Sequence, residues 1–178
     1  MRTPVPYLAA LALVAGCTPD ARSPAEPQSV AVPIFESASA VDASNFRTHA
    51  RGSEEVPAND SRAQGQAIFA LSDDGDAISY KLIVANIENV TQSHIHIAPE
   101  GVNGPVVVWL YPSAPPSQLI PGRSQGVLAE GEFTAADLRG PLAGQTLGDL
   151  LANLRSGNAY VNVHTVAHPP GEIRGQIH

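Results

Sequence analysis

Residues 63–84, AQGQAIFALSDDGDAISYKLIV, decide the fold of this chain. Two alternating runs, 63–71 and 78–84, flank a short polar segment that contains Asp74-Gly75. Side chains of a β-strand point alternately to its two faces, and Asp-Gly tolerates the positive φ angles of a tight hairpin turn. The segment therefore predicts an antiparallel hairpin with one face in a core.

Further short strands are predicted on both sides of this hairpin. Alternating or continuous apolar runs bounded by turn residues indicate strands at 46–52, 92–98, 106–111, 124–133, 159–165 and 172–177. Leu147, Leu150, Leu151 and Leu154 have helical spacing, so one short helix is predicted at 146–156. About eight strands and one helix indicate an all-β fold, an antiparallel Greek-key sandwich or barrel.

Four of the six histidines lie in two short segments. His94 and His96 alternate with Ile95 and Ile97, so both imidazoles lie on the face opposite the core. Residues i and i+2 of a strand are about 6.8 Å apart, close enough for two imidazoles to bind one ion. His164, at the end of a later strand, or His168, in the following loop, would complete a site if the two strands are neighbours. Clustered imidazoles favour Cu²⁺ or Zn²⁺.

A metal-free interpretation stays open for the same residues. The histidines are then polar anchors that bind loop carbonyl groups on the outside of the barrel. Glu172 and Arg174 share one side of the last strand, which predicts that Glu172, Arg174 and Gln176 face outward while Ile173 and Ile177 face the core. Glu172 either orients a histidine or forms a surface ion pair with Arg174, and the ion pair is favoured.

The N-terminus has the features of an export signal. Residues 5–15 form an apolar run too short to span a bilayer, and it ends in Val14-Ala15-Gly16-Cys17. This tetrapeptide resembles the bacterial lipobox, which implies a signal peptide at 1–16 and a lipid on Cys17, the single cysteine. Residues 17–44, rich in Pro, Ala and Ser, are predicted to be a flexible tether. The expected location is the cell envelope, at the outer membrane or cell surface.

The composition excludes several functional classes. The formal net charge is -7 and the basic residues are scattered, so nucleic acid is not an expected partner. No P-loop, dinucleotide-binding glycine motif or Gly-x-Ser-x-Gly sequence occurs. The expected partners are the membrane, through the N-terminal lipid, and an envelope or extracellular protein.

Five segments taken together resemble the CHRD domain, a module named from chordin. They are 52–57 (GSEEVP), 93–96 (SHIH), 101–108 (GVNGPVVV), 159–165 (AYVNVHT) and 171–177 (GEIRGQI). They occur in family order and place the domain at 45–178. The resemblance implies a β-rich extracellular module, and it does not by itself assign an activity.

A second and weaker resemblance is to the copper-zinc superoxide dismutase fold. It implies copper ligands at His94, His96 and His164. The single cysteine rules out the intramolecular disulfide, and no matching zinc loop follows the His-x-His. The sequence therefore predicts a lipid-anchored binding or structural module with a copper or zinc site, more readily than an enzyme. The alternatives are a superoxide dismutase-like redox enzyme and a metal-free adhesion or protein-interaction domain.

Overall fold

The computed structural model describes residues 44–178. The predicted signal peptide, Cys17 and nearly all of the predicted tether lie outside the described residues. Within 44–178 the chain forms one α-helix, α1 (Leu147–Arg155), and seven strands: β1 (Asn45–Arg51), β2 (Gln64–Leu71), β3 (Ala77–His96), β4 (Val106–Tyr111), β5 (Ile120–Thr134), β6 (Tyr160–Thr165) and β7 (Ile173–Gln176). All pairings are antiparallel, which confirms the all-β prediction.

The hairpin of β2 and β3 forms as predicted. Its register runs from Gln64 opposite Ala85 to Leu71 opposite Ile78. Gly75 has a φ of 79° in the connecting turn, a conformation that glycine adopts without steric cost. The alternation of apolar residues therefore predicted both the pairing and the buried face.

Strand β3 is longer than the sequence indicated. The predicted strands at 78–84 and 92–98 are two halves of one strand of 20 residues. Asn86 and Asn89 have φ angles of 56° and 53°, and the register with β5 shifts on either side of them. Asparagine tolerates this left-handed conformation, so it bends the strand without ending it. The expected eight strands thus become seven among the described residues.

The bend in β3 closes the sheet into a barrel. The first half of β3 pairs with β2, the second half pairs with β6 and β4, and β5 pairs with the first half and continues past the bend to Val90. Strands β2, β1, β7 and β6 connect the two halves in that order, so β3 lies at both ends of the series. A closed sheet of this kind has few exposed edges. The closure also makes β3 and β6 neighbours, as a shared histidine site requires.

Helix α1 is packed against the apolar core and confirms the predicted helix. Thr146 and Asp149 form a capping box at its start, and the four leucines Leu147, Leu150, Leu151 and Leu154 are all buried. They join one core cluster with inward residues of β3, β6 and β7. None of the helices in 44–178 is long and apolar enough to cross a membrane.

Candidate metal centre

The register between β3 and β6 brings the two histidine segments together. His94 lies opposite Asn162, His96 opposite Tyr160, and Gln92 opposite His164. Ile95, between the two β3 histidines, points into the core as predicted. His94, His96 and His164 therefore gather on the other face of the same strand pair.

The three imidazoles are close enough to share one ion. One ring nitrogen from each of His94, His96 and His164 lies within 4.8 Å of the other two. The residues are 2%, 8% and 6% exposed, respectively. No other histidine, cysteine, aspartate or glutamate of the described chain belongs to this group. We call these three residues the histidine triad.

Two loops cover the triad and fix the orientation of two of its rings. His96 Nδ1 lies 2.9 Å from the carbonyl oxygen of Gly104, and His164 Nδ1 lies 2.9 Å from that of Pro169. A carbonyl oxygen only accepts, so each Nδ1 carries the proton and donates it. The Nε2 atom of each ring therefore presents a lone pair. Histidine ligands of metals commonly donate their second N–H to a carbonyl group in this way.

The remaining ring nitrogens are either paired with each other by a hydrogen bond or have no partner in the protein. Nε2 of His94 and Nε2 of His96 are buried and have no hydrogen-bond partner. Nδ1 of His94 lies 3.2 Å from Nε2 of His164. Two nitrogens that bind one ion at about 2.0–2.1 Å with a tetrahedral angle are about 3.3 Å apart. The spacing of this pair therefore matches that of two ligands on a common ion.

Burial keeps the triad neutral. It lowers the pKa of His94 to about 3, with further effects from His164 and His96. Burial also lowers the pKa of His96 to about 4, although the Gly104 carbonyl opposes the shift. The pKa of His164 is lowered for the same reason, against the opposing effect of the Pro169 carbonyl. Neutral imidazole is the form that binds metals, so the ligands need not lose a proton at neutral pH.

Aromatic rings hold the triad from two sides. The ring of Trp109 meets His94 edge-on with centroids 4.3 Å apart. Tyr160 stacks on His96 with centroids 4.8 Å apart and an interplanar angle of 10°. The Tyr160 hydroxyl also accepts a hydrogen bond of 3.0 Å from the Gly104 amide. The imidazoles are therefore held in place by packing as well as by hydrogen bonds.

The predicted outward positions on β7 are wrong, because loops cover this part of the barrel wall. Glu172, Arg174 and Gln176 are all buried, and Arg174 is 1% exposed. Glu172 and Arg174 do not form one of the ion pairs found in residues 44–178. Alternation correctly separated the two faces of β7, but it could not show that loops would bury the second face.

Glu172 and Arg174 instead form hydrogen bonds that hold the covering loops against the barrel. Glu172 accepts hydrogen bonds from the hydroxyl groups of Ser61 at 2.6 Å and Thr165 at 2.7 Å. Arg174 donates to the carbonyl oxygens of Val102 and Pro99 and to the Asn103 side chain. Its guanidinium carbon also lies 3.5 Å from the centre of the Tyr160 ring. No hydrogen bond from Glu172 to a histidine occurs among the described residues, so the interpretation of Glu172 as a histidine-orienting carboxylate gains no support.

His168 does not join the triad. It is half-buried in the loop after β6, and its backbone carbonyl accepts hydrogen bonds from the amides of Thr165 and Gly171. The donor group of three excludes its side chain. The position of His168 is that of a loop residue that helps to hold the turn, and its prediction as a metal ligand is not supported by the geometry.

Glu55 is a buried acid that the sequence analysis did not single out as a site residue. It is 7% exposed, and burial raises its pKa to about 7, against the effects of the Asn162 amide and the Arg174 charge. Asn162 Nδ2 donates to Glu55 Oε2 at 3.3 Å, while Oε1 has no partner. Asn162 is the strand neighbour of both His94 and Arg174. The signal was present in residues 52–57, a segment that resembles the CHRD domain.

The fold and the site define the class of this protein: an antiparallel β-barrel domain with three buried histidines beneath loops on its wall. The family model described as the CHRD domain matches residues 46–177. The chain therefore belongs to the CHRD-domain family, which confirms the resemblance. Comparisons with curated proteins and with solved structures gave no significant match. The weaker resemblance to superoxide dismutase stays a prediction.

Proposed function

We propose that this CHRD domain is a binding module that holds one transition-metal ion, copper or zinc, on the histidine triad. The single observation that carries the proposal is the set of imidazole nitrogens within 4.8 Å of one another. The carbonyl hydrogen bonds of His96 and His164 support it, because they direct a lone pair from each Nε2.

The metal-free alternative explains only part of this arrangement. Polar anchors would account for the two Nδ1–carbonyl hydrogen bonds. They would not account for the Nε2 atoms of His94 and His96, which are buried without a partner. A buried polar atom that lacks its hydrogen bond costs about 1–3 kcal/mol. One ion takes one nitrogen from each ring, so it would supply the partner that Nε2 of His96 lacks within the protein, and this favours the metal interpretation.

The experiment is a metal titration of the purified protein by calorimetry. We expect one equivalent of copper or zinc to bind, and the His94→Ala, His96→Ala double variant to lose it. His49→Ala is the matched control, because His49 is exposed on β1 and away from the triad. Equal binding by the parent and the double variant, with the fold retained, would remove the proposed function.

We also propose that the domain acts in the cell envelope as a lipid-anchored protein with a protein partner there. The support is the sequence Val14-Ala15-Gly16-Cys17 after an apolar run. Cys17→Ala should release the protein from membranes in cell fractionation. A variant that stays in the membrane fraction would contradict the lipid anchor.

A further inference from the structure

We infer that the triad is selective for monovalent copper, Cu⁺, over Zn²⁺ and Cu²⁺. This inference rests on the proposed function and adds the identity and charge of the ion. It is carried by the number of donors, by their charge and by their burial.

The number of donors comes first. Within residues 44–178 the site offers three imidazoles, and no fourth histidine, cysteine or carboxylate lies in the group. Zn²⁺ is almost always four-coordinate in protein sites, and Cu²⁺ prefers a square or tetragonal set of ligands. Cu⁺, like Zn²⁺, has a filled d shell, but its single charge lets it remain stable with only two or three ligands. Three histidine donors therefore satisfy Cu⁺, whereas a divalent ion would need a fourth ligand of another kind, for which the buried Oδ1 of Asn162 opposite His94 is a candidate.

Water is poorly placed to supply the fourth ligand. The Nε2 atoms of His94 and His96 are shielded from solvent, and the carbonyl groups of Gly104 and Pro169 lie against the Nδ1 edges of His96 and His164. A zinc site that completes its shell with water keeps an open position for it. The triad is instead enclosed, which again favours an ion that needs no additional ligand.

The charge of the surroundings points the same way. All three ligands are neutral, so the full charge of the ion is buried. The charged group that acts on His96 is Arg174, a cation whose guanidinium lies on the Tyr160 ring that stacks on His96. The solvation cost of burying an ion grows with the square of its charge, so a monovalent ion costs about a quarter as much as a divalent ion of equal size. Three neutral ligands beside Arg174 therefore disfavour Zn²⁺ and Cu²⁺, and the buried carboxyl group of Glu55, held by Asn162, opposes this effect only when it is ionised.

The test uses the full chain with Cys17→Ser, because a thiolate would itself bind Cu⁺. Under anaerobic conditions the protein competes for Cu⁺ with the chromophoric chelator bathocuproine disulfonate, and for Zn²⁺ with a chromophoric zinc chelator. We expect one equivalent of Cu⁺, retained when excess Zn²⁺ is added, and three nitrogen ligands in the copper X-ray absorption spectrum. His96→Ala should lose the equivalent, whereas His49→Ala and His168→Ala should keep it.

The possible results separate this inference from the proposed function. If Zn²⁺ displaces Cu⁺, or binds one equivalent with a fourth ligand at comparable affinity, the selectivity is wrong and the metal module remains. If neither ion binds the parent protein, both proposals are wrong. The comparison of ions uses unaltered triad residues, so it stays decisive even if a histidine variant fails to fold.

Discussion

Gly104→Ala tests whether the loop over the triad determines metal affinity. Gly104 approaches β3 so closely that a Cβ atom there would overlap the carbonyl oxygen of Ile97 and lie 2.7 Å from its carbonyl carbon. Ordinary contacts begin at 3.4 Å. The residue must therefore move away by at least about 0.7 Å, a shift that a dense interior does not absorb without cost.

The shift acts on two hydrogen bonds at once. The Gly104 carbonyl accepts from His96 Nδ1 at 2.9 Å, and the Gly104 amide donates to the Tyr160 hydroxyl at 3.0 Å. A movement of about 0.7 Å along the line of the first bond would lengthen it to about 3.6 Å, which is no longer a hydrogen bond. Loss of such a partner behind a histidine ligand lowers metal affinity by about 10- to 100-fold, or about 1.4–2.8 kcal/mol.

The assay is the competition titration for Cu⁺ on the parent and Gly104→Ala. Val102→Ala is the matched control, since Val102 is exposed on the same loop and uses its backbone carbonyl to bind Arg174. We expect Gly104→Ala to bind copper at least about 10-fold more weakly and Val102→Ala to match the parent. A folded Gly104→Ala protein with parental affinity would refute the role of the carbonyl.

The remaining predictions concern protonation and spectroscopy. Burial lowers the pKa of His94, His96 and His164 in the folded domain. The unfolded chain therefore binds more protons than the folded domain below about pH 6.5. The free energy of unfolding of the metal-free domain should fall as the pH drops from there towards about 4. Denaturant melts should show a loss of about 1.4 kcal/mol per pH unit for each such proton, and a flat profile over this range would contradict neutral burial. Glu55 affects the pH dependence of stability in the opposite direction, because its raised pKa stabilises the fold below about pH 4.5 and this stabilisation is lost as the pH rises through about 7. Glu55→Gln should remove this loss. Denaturant melts of the variant at about pH 5.5 and 8.5 that change as in the parent would contradict the prediction. Copper should quench the fluorescence of Trp109, the single tryptophan, up to one equivalent, because the centre of the Trp109 ring lies 4.3 Å from that of His94. Unchanged emission on loading would place the metal elsewhere.

Local patterns in the sequence predicted most of the fold. The Asp74-Gly75 turn and the alternation around it predicted the β2–β3 hairpin, and leucine spacing predicted α1. These features depend on neighbours within a few residues, and a single sequence contains that information. The long β3 was missed, because a strand that bends at Asn86 and Asn89 has the same local pattern as two strands joined by a turn.

The predicted ligands included all three residues of the histidine triad together with His168, and the surroundings of the triad were not predicted. Alternation placed His94 and His96 on one face, and the expectation that β3 and β6 are neighbours brought in His164. The burial of Arg174 and Glu55 depends on loops that return from distant parts of the chain. Periodicity along one strand cannot report such long-range cover, so Arg174 was expected to face outward and the burial of Glu55 was not predicted.

The most direct test of the account is a crystal structure of the copper-loaded protein with anomalous scattering measured at the copper edge. We expect one copper ion, about 2.0 Å from a ring nitrogen of each of His94, His96 and His164, with His168 outside the coordination sphere. Copper bound at another position, or three histidines unchanged and without a shared ion after loading, would contradict the metal module.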